Sequence, residues 1–376
     1  MTLAAHYLAA LTTPGLGVKG LWQLVADCGG LEAVLAGRCP VPETDVATAP
    51  TSAALVAAVR AALPGASRAV AEARASGLAV HCWEDAGYPA PLRSEGVYSA
   101  PVLFVAGRLP AQLTAEGPPT ACAIVGTRRA SSYALQFARD VARAAAARGV
   151  TVVSGLALGV DAAAHEGALE AGAGGGGTVA VLGGGHARLH PAANRGLAER
   201  ILHAGGAILS EWPPTTNPQP YHFLRRNRVV VALSRVVAVV EAGVPSGALN
   251  SATHAAELDR QVFSMPTRPD DVRNRGGLQL LREGAAALVD ASDILAHFAL
   301  PLEAPASPPG AVGAQAAPNA VTTALLRALG QGGGASLDQL LHRTGAAPPD
   351  LLAALGLLEL EGVVARTLDG RYRRRG

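Results

Sequence analysis

Three arginines, Arg225, Arg226 and Arg228, flank Asn227 and form the densest group of positive side chains in the central part of the chain. Guanidinium forks and amide groups donate several hydrogen bonds and suit phosphate oxygens. The apolar run that follows, residues 229–233, predicts a helix or strand that begins directly after them. Positive charge at the N-terminal end of a helix opposes the helix dipole, so arginines at this place indicate an anion-binding site.

Short turns of glycine and serine follow several apolar runs, and a helical pattern follows most of these turns. Successive units of this kind predict an α/β fold with parallel strands joined by crossover helices. In such a sheet, ligands bind beyond the carboxyl ends of the strands, where small residues admit a ligand and helix N-termini favour anions. The runs and their turns are 121–125 with Gly126, 150–153 with Ser154 and Gly155, 178–182 with Gly183, and 236–240 with Ser246 and Gly247.

The pattern of helices, strands and prolines divides the chain into four parts. Residues 1–80 predict a domain of several short helices similar to a SAM or helix-hairpin-helix domain, with a glycine turn at 14–20 that suits either a phosphate contact or a tight turn in a small bundle. Residues 85–298 carry the α/β core. Residues 299–320 are rich in proline and alanine without periodicity, which predicts a flexible linker. Residues 321–376 predict three helices and a hairpin, the winged-helix pattern.

The winged helix has an unusual presumptive recognition helix, residues 349–355, because this segment is apolar and acidic. Such a helix fits a phosphate-lined groove poorly. We therefore expect the domain to contact a protein, or to bind DNA weakly, rather than to read a sequence.

Composition narrows the class of protein. The 376 residues are 49% hydrophobic and 4% aromatic, and the formal net charge is +2. This is typical of a globular protein, and so few aromatic residues argue against base stacking as the main means of binding. We expect no zinc site and no cofactor, because the four cysteines form no C-x-x-C pair. The sequence has neither a leader pattern nor an apolar run that could span a bilayer, so we expect a cytoplasmic protein without membrane contact.

Four aromatic residues, Tyr133, Trp212, Tyr221 and Phe223, lie near the turns. Each can stack on a base or fill the core. For Phe223 both interpretations remain open, whereas for the other three core packing is favoured.

An enzyme on free nucleotides, such as a phosphoribohydrolase with a similar sheet, is the alternative. It needs an acid or base, and the candidates are Asp161, His165, Glu211, Glu241 and Glu257. Asp161 and His165, four residues apart at a helix start, are explained more simply as a cap and a packed histidine. No nucleophile lies beside a base, so we expect a binding protein rather than an enzyme.

Five short motifs occur in order between residues 85 and 298. They are Ile124-Val125-Gly126-Thr127-Arg128-x-x-Ser131, Ser154-Gly155-Leu156-Ala157-x-Gly159-x-Asp161-x-x-x-His165, Ser210-Glu211, Arg226-Asn227-Arg228, and Ser246-Gly247-x-Leu249. Each motif is weak alone, but together they are specific, and through them the chain resembles the DNA-processing protein A family, also called DprA or Smf.

The resemblance implies an extended Rossmann-like domain that forms a homodimer, binds and protects single-stranded DNA, and helps to load the RecA recombinase in natural transformation. The N-terminal helices and the winged helix look like accessory domains of the family. The resemblance places Arg128 as the arginine that binds the DNA backbone. It implies that the other site residues surround the same pocket: Ser131, Ser154, Gly155, Phe223, Arg225, Arg226, Asn227, Arg228, Ser246 and Gly247.

The chain departs from the family pattern at a few positions. Ala134 replaces the usual glycine, Leu224 replaces a proline, and Thr267 follows Pro266 where glycine is usual. The lysine that many members carry shortly before the phenylalanine matching Phe223 is absent, and we expect Arg225 to substitute for it.

Overall fold

The computed structural model describes residues 2–36, 52–115, 117–172, 175–298, 320–330, 334–360, 363–367 and 371–374. The chain forms two compact units, Met1–Leu302 and Glu303–Gly376. The expected linker falls almost entirely outside the described residues. Within the described ranges, no helix has both the length and the apolar character needed to cross a bilayer.

A sheet of nine strands forms the centre of the first unit in its described part. Its order is β1-β2-β6-β5-β4-β3-β7-β8-β9. The seven strands β6-β5-β4-β3-β7-β8-β9 are all parallel to their neighbours, whereas β2 pairs antiparallel with both β1 and β6. This confirms the mostly parallel α/β core. The strands are β1 Ala79–Cys82, β2 Val102–Gly107, β3 Ala121–Gly126, β4 Thr151–Ser154, β5 Thr178–Val181, β6 Ala207–Ser210, β7 Val236–Val240, β8 Gln261–Ser264 and β9 Ala286–Ala287.

Helices cover both faces of this sheet, which is why its central strands are apolar throughout. Along β3, Ala123 and Val125 pack into one core, whereas Cys122 and Ile124 pack into the core on the opposite face. Before the sheet come α1 Leu3–Thr12, α2 Gly17–Cys28, α3 Leu31–Leu35 and α4 Ser52–Ala75, and along it lie α5 Ser132–Ala147, α6 Val160–Glu170, α7 Arg195–His203, α8 Pro220–Ala232, α9 Gly247–Glu257, α10 Arg275–Arg282 and α11 Ala291–His297.

The helix that carries the arginine group begins earlier than the sequence pattern predicts. α8 begins at Pro220, and the side chains of Gln219 and His222 form a capping box at its N-terminus. Proline at the first position and this box start the helix well before residue 229. The arginines therefore lie inside the helix, so the expectation that they oppose its N-terminal dipole is wrong.

The second unit has its own small apolar core, formed by residues that include Leu325, Leu340, Leu355 and Tyr372. Three helices followed by an antiparallel pair of strands agree with the winged-helix pattern expected from the sequence. The elements are α12 Ala320–Leu329, α13 Leu337–Thr344, α14 Pro348–Leu360, β10 Val364–Arg366 and β11 Tyr372–Arg374.

His165 on α6 is fully buried and makes stability depend on pH. The Thr178 hydroxyl donates to the Val152 carbonyl (2.7 Å), so it accepts from Nδ1–H of His165 (2.7 Å). Burial lowers the pKa of His165 to about 3, well below its ordinary value. The unfolded chain therefore takes up a proton first as the pH falls below about 6.5, and folding stability decreases.

We expect the free energy of unfolding to fall by about 2 kcal/mol between pH 7 and pH 5 from this residue alone. Urea titrations at several pH values measure it. The variant His165→Gln, which cannot take up the proton, should lose this part of the pH dependence. Equal pH dependence in both proteins would contradict the assignment.

Candidate nucleic-acid interface

A cavity of about 400 Å³ opens at the carboxyl ends of the central strands. We call it the main cavity. Two strand turns and the starts of two helices converge on it, as the glycine pattern predicts. Seven of the predicted site residues line it: Arg128, Gly155, Phe223, Arg226, Asn227, Ser246 and Gly247. A smaller side cavity of about 50 Å³ adjoins it and shares Arg128, Gly155, Phe223 and Arg226.

Arg128 lies between the two cavities. Its side chain is exposed, and its guanidinium carbon is 5.3 Å from the centroid of the Phe223 ring. In the described part of the chain, no carboxylate forms an ion pair with Arg128. The guanidinium is therefore held over an aromatic face while its N–H groups remain available to an anion.

Ser131 does not line the cavity but fixes the loop that carries Arg128. Its hydroxyl donates to Glu241 (2.5 Å), its backbone N–H donates to the same carboxylate (3.1 Å), and its oxygen caps α5 by accepting from Ala134 N–H (3.1 Å). At the other end of the loop, Thr127 N–H donates to the Glu241 carbonyl (2.8 Å). We call this arrangement the Ser131–Glu241 clasp. Its main effect is to position Arg128.

Arg226 places a buried positive charge directly against the turn that follows β4. Its guanidinium donates to the Val181 carbonyl and packs directly against Gly155. Burial lowers the pKa of Arg226 to about 10, so the side chain remains protonated at neutral pH.

Asp161 is buried beside this arginine and holds the same turn. Its carboxylate accepts from Gly155 N–H (3.1 Å) and from Ala157 N–H (3.4 Å). Burial raises the pKa of Asp161, and the charge of Arg226 opposes that shift. The carboxylate thus has a structural role, but it holds the turn before α6 and does not cap that helix as the sequence pattern predicts.

Gly155 has no room for a side chain, since a Cβ there would overlap the Arg226 guanidinium. We expect Gly155→Ala to displace that guanidinium, to lower the free energy of unfolding by about 1–3 kcal/mol and to weaken anion binding. Chemical denaturation and binding titrations measure the two effects. Gly196→Ala is the matched control, because a Cβ at this helical position meets no atom within 4 Å. Unchanged stability in Gly155→Ala would contradict the packing.

Ser246, Gly247 and Asn227 meet where α9 begins. The Ser246 hydroxyl accepts from Ala248 N–H (3.1 Å) and caps the helix. The Asn227 amide donates to the Gly247 carbonyl (3.1 Å) and to the side-chain oxygen of Asn250 (3.2 Å), which ties α8 to α9. The N-terminus of an eleven-residue helix therefore faces the cavity and adds partial positive charge.

Besides Ser131, three predicted site residues do not line the main cavity. Ser154 is fully buried, and its hydroxyl donates to the Ile124 carbonyl (2.6 Å), which ties β4 to β3. Arg228 is buried on the other side of α8, where it pairs with Glu211 and donates to the Ser99 carbonyl (3.1 Å). Arg225 lies over the Trp212 ring, with its guanidinium carbon 4.8 Å from the ring centroid.

The sequence interpretation missed Arg129 and misjudged two aromatic residues. Arg129 is exposed and lines the main cavity. Tyr133 and Tyr221, for which core packing was favoured, are 64% and 60% exposed, so that expectation is wrong. The helical period contains the signal for Tyr133: Ala134 and Ala138 face the core, which leaves residue 133 on the outer face.

His186 and His190, four residues apart after β5, have ordinary structural surroundings. His186 is half-buried and hydrogen-bonds to the Ile208 carbonyl (3.0 Å), whereas His190 is exposed near Phe223. Among the described residues, no group of three or more histidines, cysteines and carboxylates is placed to hold a metal ion.

Comparison with known proteins gives the same family as the motifs. The family model for DNA recombination-mediator protein A matches residues 79–299, and that for the DprA winged helix domain matches residues 306–370. The putative DNA processing protein DprA of Mycobacterium tuberculosis is 38% identical over 276 residues, 73% of this chain and 69% of that protein. Protein Smf of Synechocystis is 36% identical over 303 residues, 73% of this chain and 75% of that protein.

A solved structure supports the same conclusion. The X-ray structure of DNA processing protein A from Streptococcus pneumoniae matches with a TM-score of 0.62 and 27% identity, over 79% of this chain and 98% of that one. The family model alone covers more than half of the chain, including every residue of the main cavity. The chain therefore belongs to the DprA/Smf family.

Proposed function

We propose that the main cavity binds the phosphate backbone of single-stranded DNA. The observation that carries this proposal is the exposed Arg128, free of any carboxylate partner in the described part of the chain, among backbone turns and the N-terminus of α9. Arg128 supplies an exposed charge, Arg226 a buried one, and the start of α9 supplies N–H donors. These groups match successive phosphates and carry no information about base sequence.

The rim of the cavities favours a single strand over a duplex. Leu158 and Leu224 line the cavities and are exposed, and Tyr221 and Val244 are exposed beside lining residues. Unpaired bases can cover these apolar side chains, whereas a duplex keeps its base faces stacked inside. The apolar rim therefore adds affinity mainly for single strands.

The carboxylates that an enzyme would use are all engaged in hydrogen bonds or ion pairs, including Asp161, which lines the main cavity. Asp161 holds the turn after β4, Glu241 forms the clasp, and Glu211 pairs with buried Arg228. Glu257 bonds to Tyr98 and His254 (3.1 Å), and burial keeps His165 neutral. This distribution supports a binding protein rather than a nucleotide-processing enzyme.

Fluorescence anisotropy tests the binding proposal. Labelled single- and double-stranded oligonucleotides are titrated with the full chain, and with residues 1–302, over a series of salt concentrations. We expect both proteins to prefer single strands, with affinity falling steeply as salt rises. Absence of binding from both would refute the proposal, and binding lost only with residues 303–376 would move the activity to the winged helix.

The cellular role we propose is to protect incoming single strands and to load RecA on them in natural transformation, as a homodimer in the cytoplasm. Membership of a family described as DNA recombination-mediator protein A supports a role in recombination. RecA ATP hydrolysis on strands coated with single-strand-binding protein tests the loading step. A rate that the protein does not change would refute it, and sedimentation velocity of the full chain as a monomer would refute the dimer.

For the winged helix we propose a protein contact in preference to specific DNA recognition. On α14, Leu352 and Leu357 are 49% and 53% exposed, and Asp350 lies in the first turn. An exposed apolar and acidic helix suits a protein surface better than a phosphate-lined groove.

A further inference from the structure

We propose that Tyr133, supported by Phe137, is a stacking site for an unpaired base of the strand held in the main cavity. The two residues are one helical turn apart on the outer side of α5, with ring centroids 6.1 Å apart and ring planes inclined by 29°. Phe137 packs partly into the core, whereas Tyr133 is 64% exposed. The pair is thus an anchored stack of two rings.

The stack lies close to the cavity along a fixed path. Arg129 lines the cavity, and Tyr133 follows four residues later, a separation of at most about 14 Å. Ser131, between them, is held by Glu241 and caps α5. A strand with a phosphate beside Arg129 can therefore reach the tyrosine with a nearby base.

The charges along this path suit a polyanion. Arg129 is exposed and has no ion pair in the described ranges. The carboxylate on the next turns of α5, Asp140, pairs with Arg143 (2.9 Å) and accepts from Gln136 (3.0 Å). Phosphates that approach Tyr133 therefore meet a cation and no uncompensated acid on this helix.

An open aromatic face beside an exposed cation favours a nucleobase as the occupant. Base–aromatic stacking is tolerant of sequence, because every base has a π-face. The inference rests on the proposed single-strand binding and adds to it a site for bases, where the main cavity holds phosphates. It also shows how a chain that is poor in aromatic residues can gain affinity from a single stack.

The test compares a thymine oligonucleotide with an abasic oligonucleotide of the same length, titrated with the full chain. We expect Tyr133→Ala to weaken binding of the thymine strand about fivefold or more and to leave the abasic strand unchanged. Tyr133→Phe should retain affinity, and Tyr133→Leu, which keeps the apolar bulk, should lose it. The slope against salt should be the same in all variants, because no phosphate contact is removed.

Each other result has a distinct meaning. Equal losses on the two strands, or full affinity in Tyr133→Ala, would overturn the stacking site and leave the proposed single-strand binding intact. Retained affinity in Tyr133→Leu would mean that residue 133 contributes to affinity through apolar contact alone, and it would overturn the stacking site. Failure of the unsubstituted protein to bind either strand would refute the proposed function together with this inference.

Discussion

Arg128→Ala should weaken binding of single-stranded DNA by about tenfold to a hundredfold, whatever the base sequence. The side chain is exposed between the two cavities and has no carboxylate partner among the described residues, so its loss removes a charged donor directly. The slope of log affinity against log salt should become shallower by about 0.7, since one phosphate contact disappears. Anisotropy titrations on several sequences over a salt series measure both quantities.

The matched control is Arg282→Ala. Arg282 is an exposed arginine in the last turn of α10, which runs back from the carboxyl ends of the strands toward the opposite edge of the sheet. This substitution removes the same charge at a position distant from the cavity, so it should leave the affinity for single-stranded DNA nearly unchanged. Similar losses in the two variants would mean that net charge, and not the position of Arg128, determines binding.

Arg228→Ala should destabilise the fold by about 3–5 kcal/mol, because buried Glu211 would then keep only the more distant Arg225, 4.0 Å away, as an ionic partner. The pair lies under α8, where Arg228 also donates to the Ser99 carbonyl (3.1 Å). Urea unfolding followed by circular dichroism measures the loss. Replacement of both residues, with Arg228→Met and Glu211→Leu, should recover much of it, because the buried carboxylate and its main partner are then removed together and the remaining Arg225 is partly exposed.

The same variant separates a structural role from a DNA-binding one. Below the unfolding transition, folded Arg228→Ala should bind single strands with nearly the affinity of the unsubstituted protein, since the side chain does not line either cavity. Full stability combined with a large loss of affinity would instead restore Arg228 to the binding site.

The sequence predicts the sheet and the main turns well, because apolar runs and glycine turns are local signals. The turns at Gly126, Gly155 and Gly247 all reach the cavity, since the carboxyl ends of parallel strands share one edge. The arginine group was harder to interpret. Arg225 and Arg228 are three residues apart on the helix and both point toward Glu211. Arg225 also lies over Trp212, whereas Arg226 points toward Gly155.

Only the position of α8 against its neighbours decides which of these arginines faces the ligand, and composition does not contain that information. The start of α8 is itself hard to predict, since its first turns mix aromatic, apolar and charged residues and the continuous apolar run begins later. Arg129 was missed for a similar reason. It has no motif of its own and enters the cavity because the Ser131–Glu241 clasp fixes the loop around it.

The clasp also affects the entropy of binding. A flexible loop loses conformational freedom when it closes on a ligand, at about 1–2 kcal/mol for each ordered residue. Here Thr127 and Ser131 are both tied to Glu241, and the Arg128 side chain already rests on Phe223. The loop is thus ordered during folding and not during association. A larger part of the free energy of each phosphate contact therefore contributes to affinity.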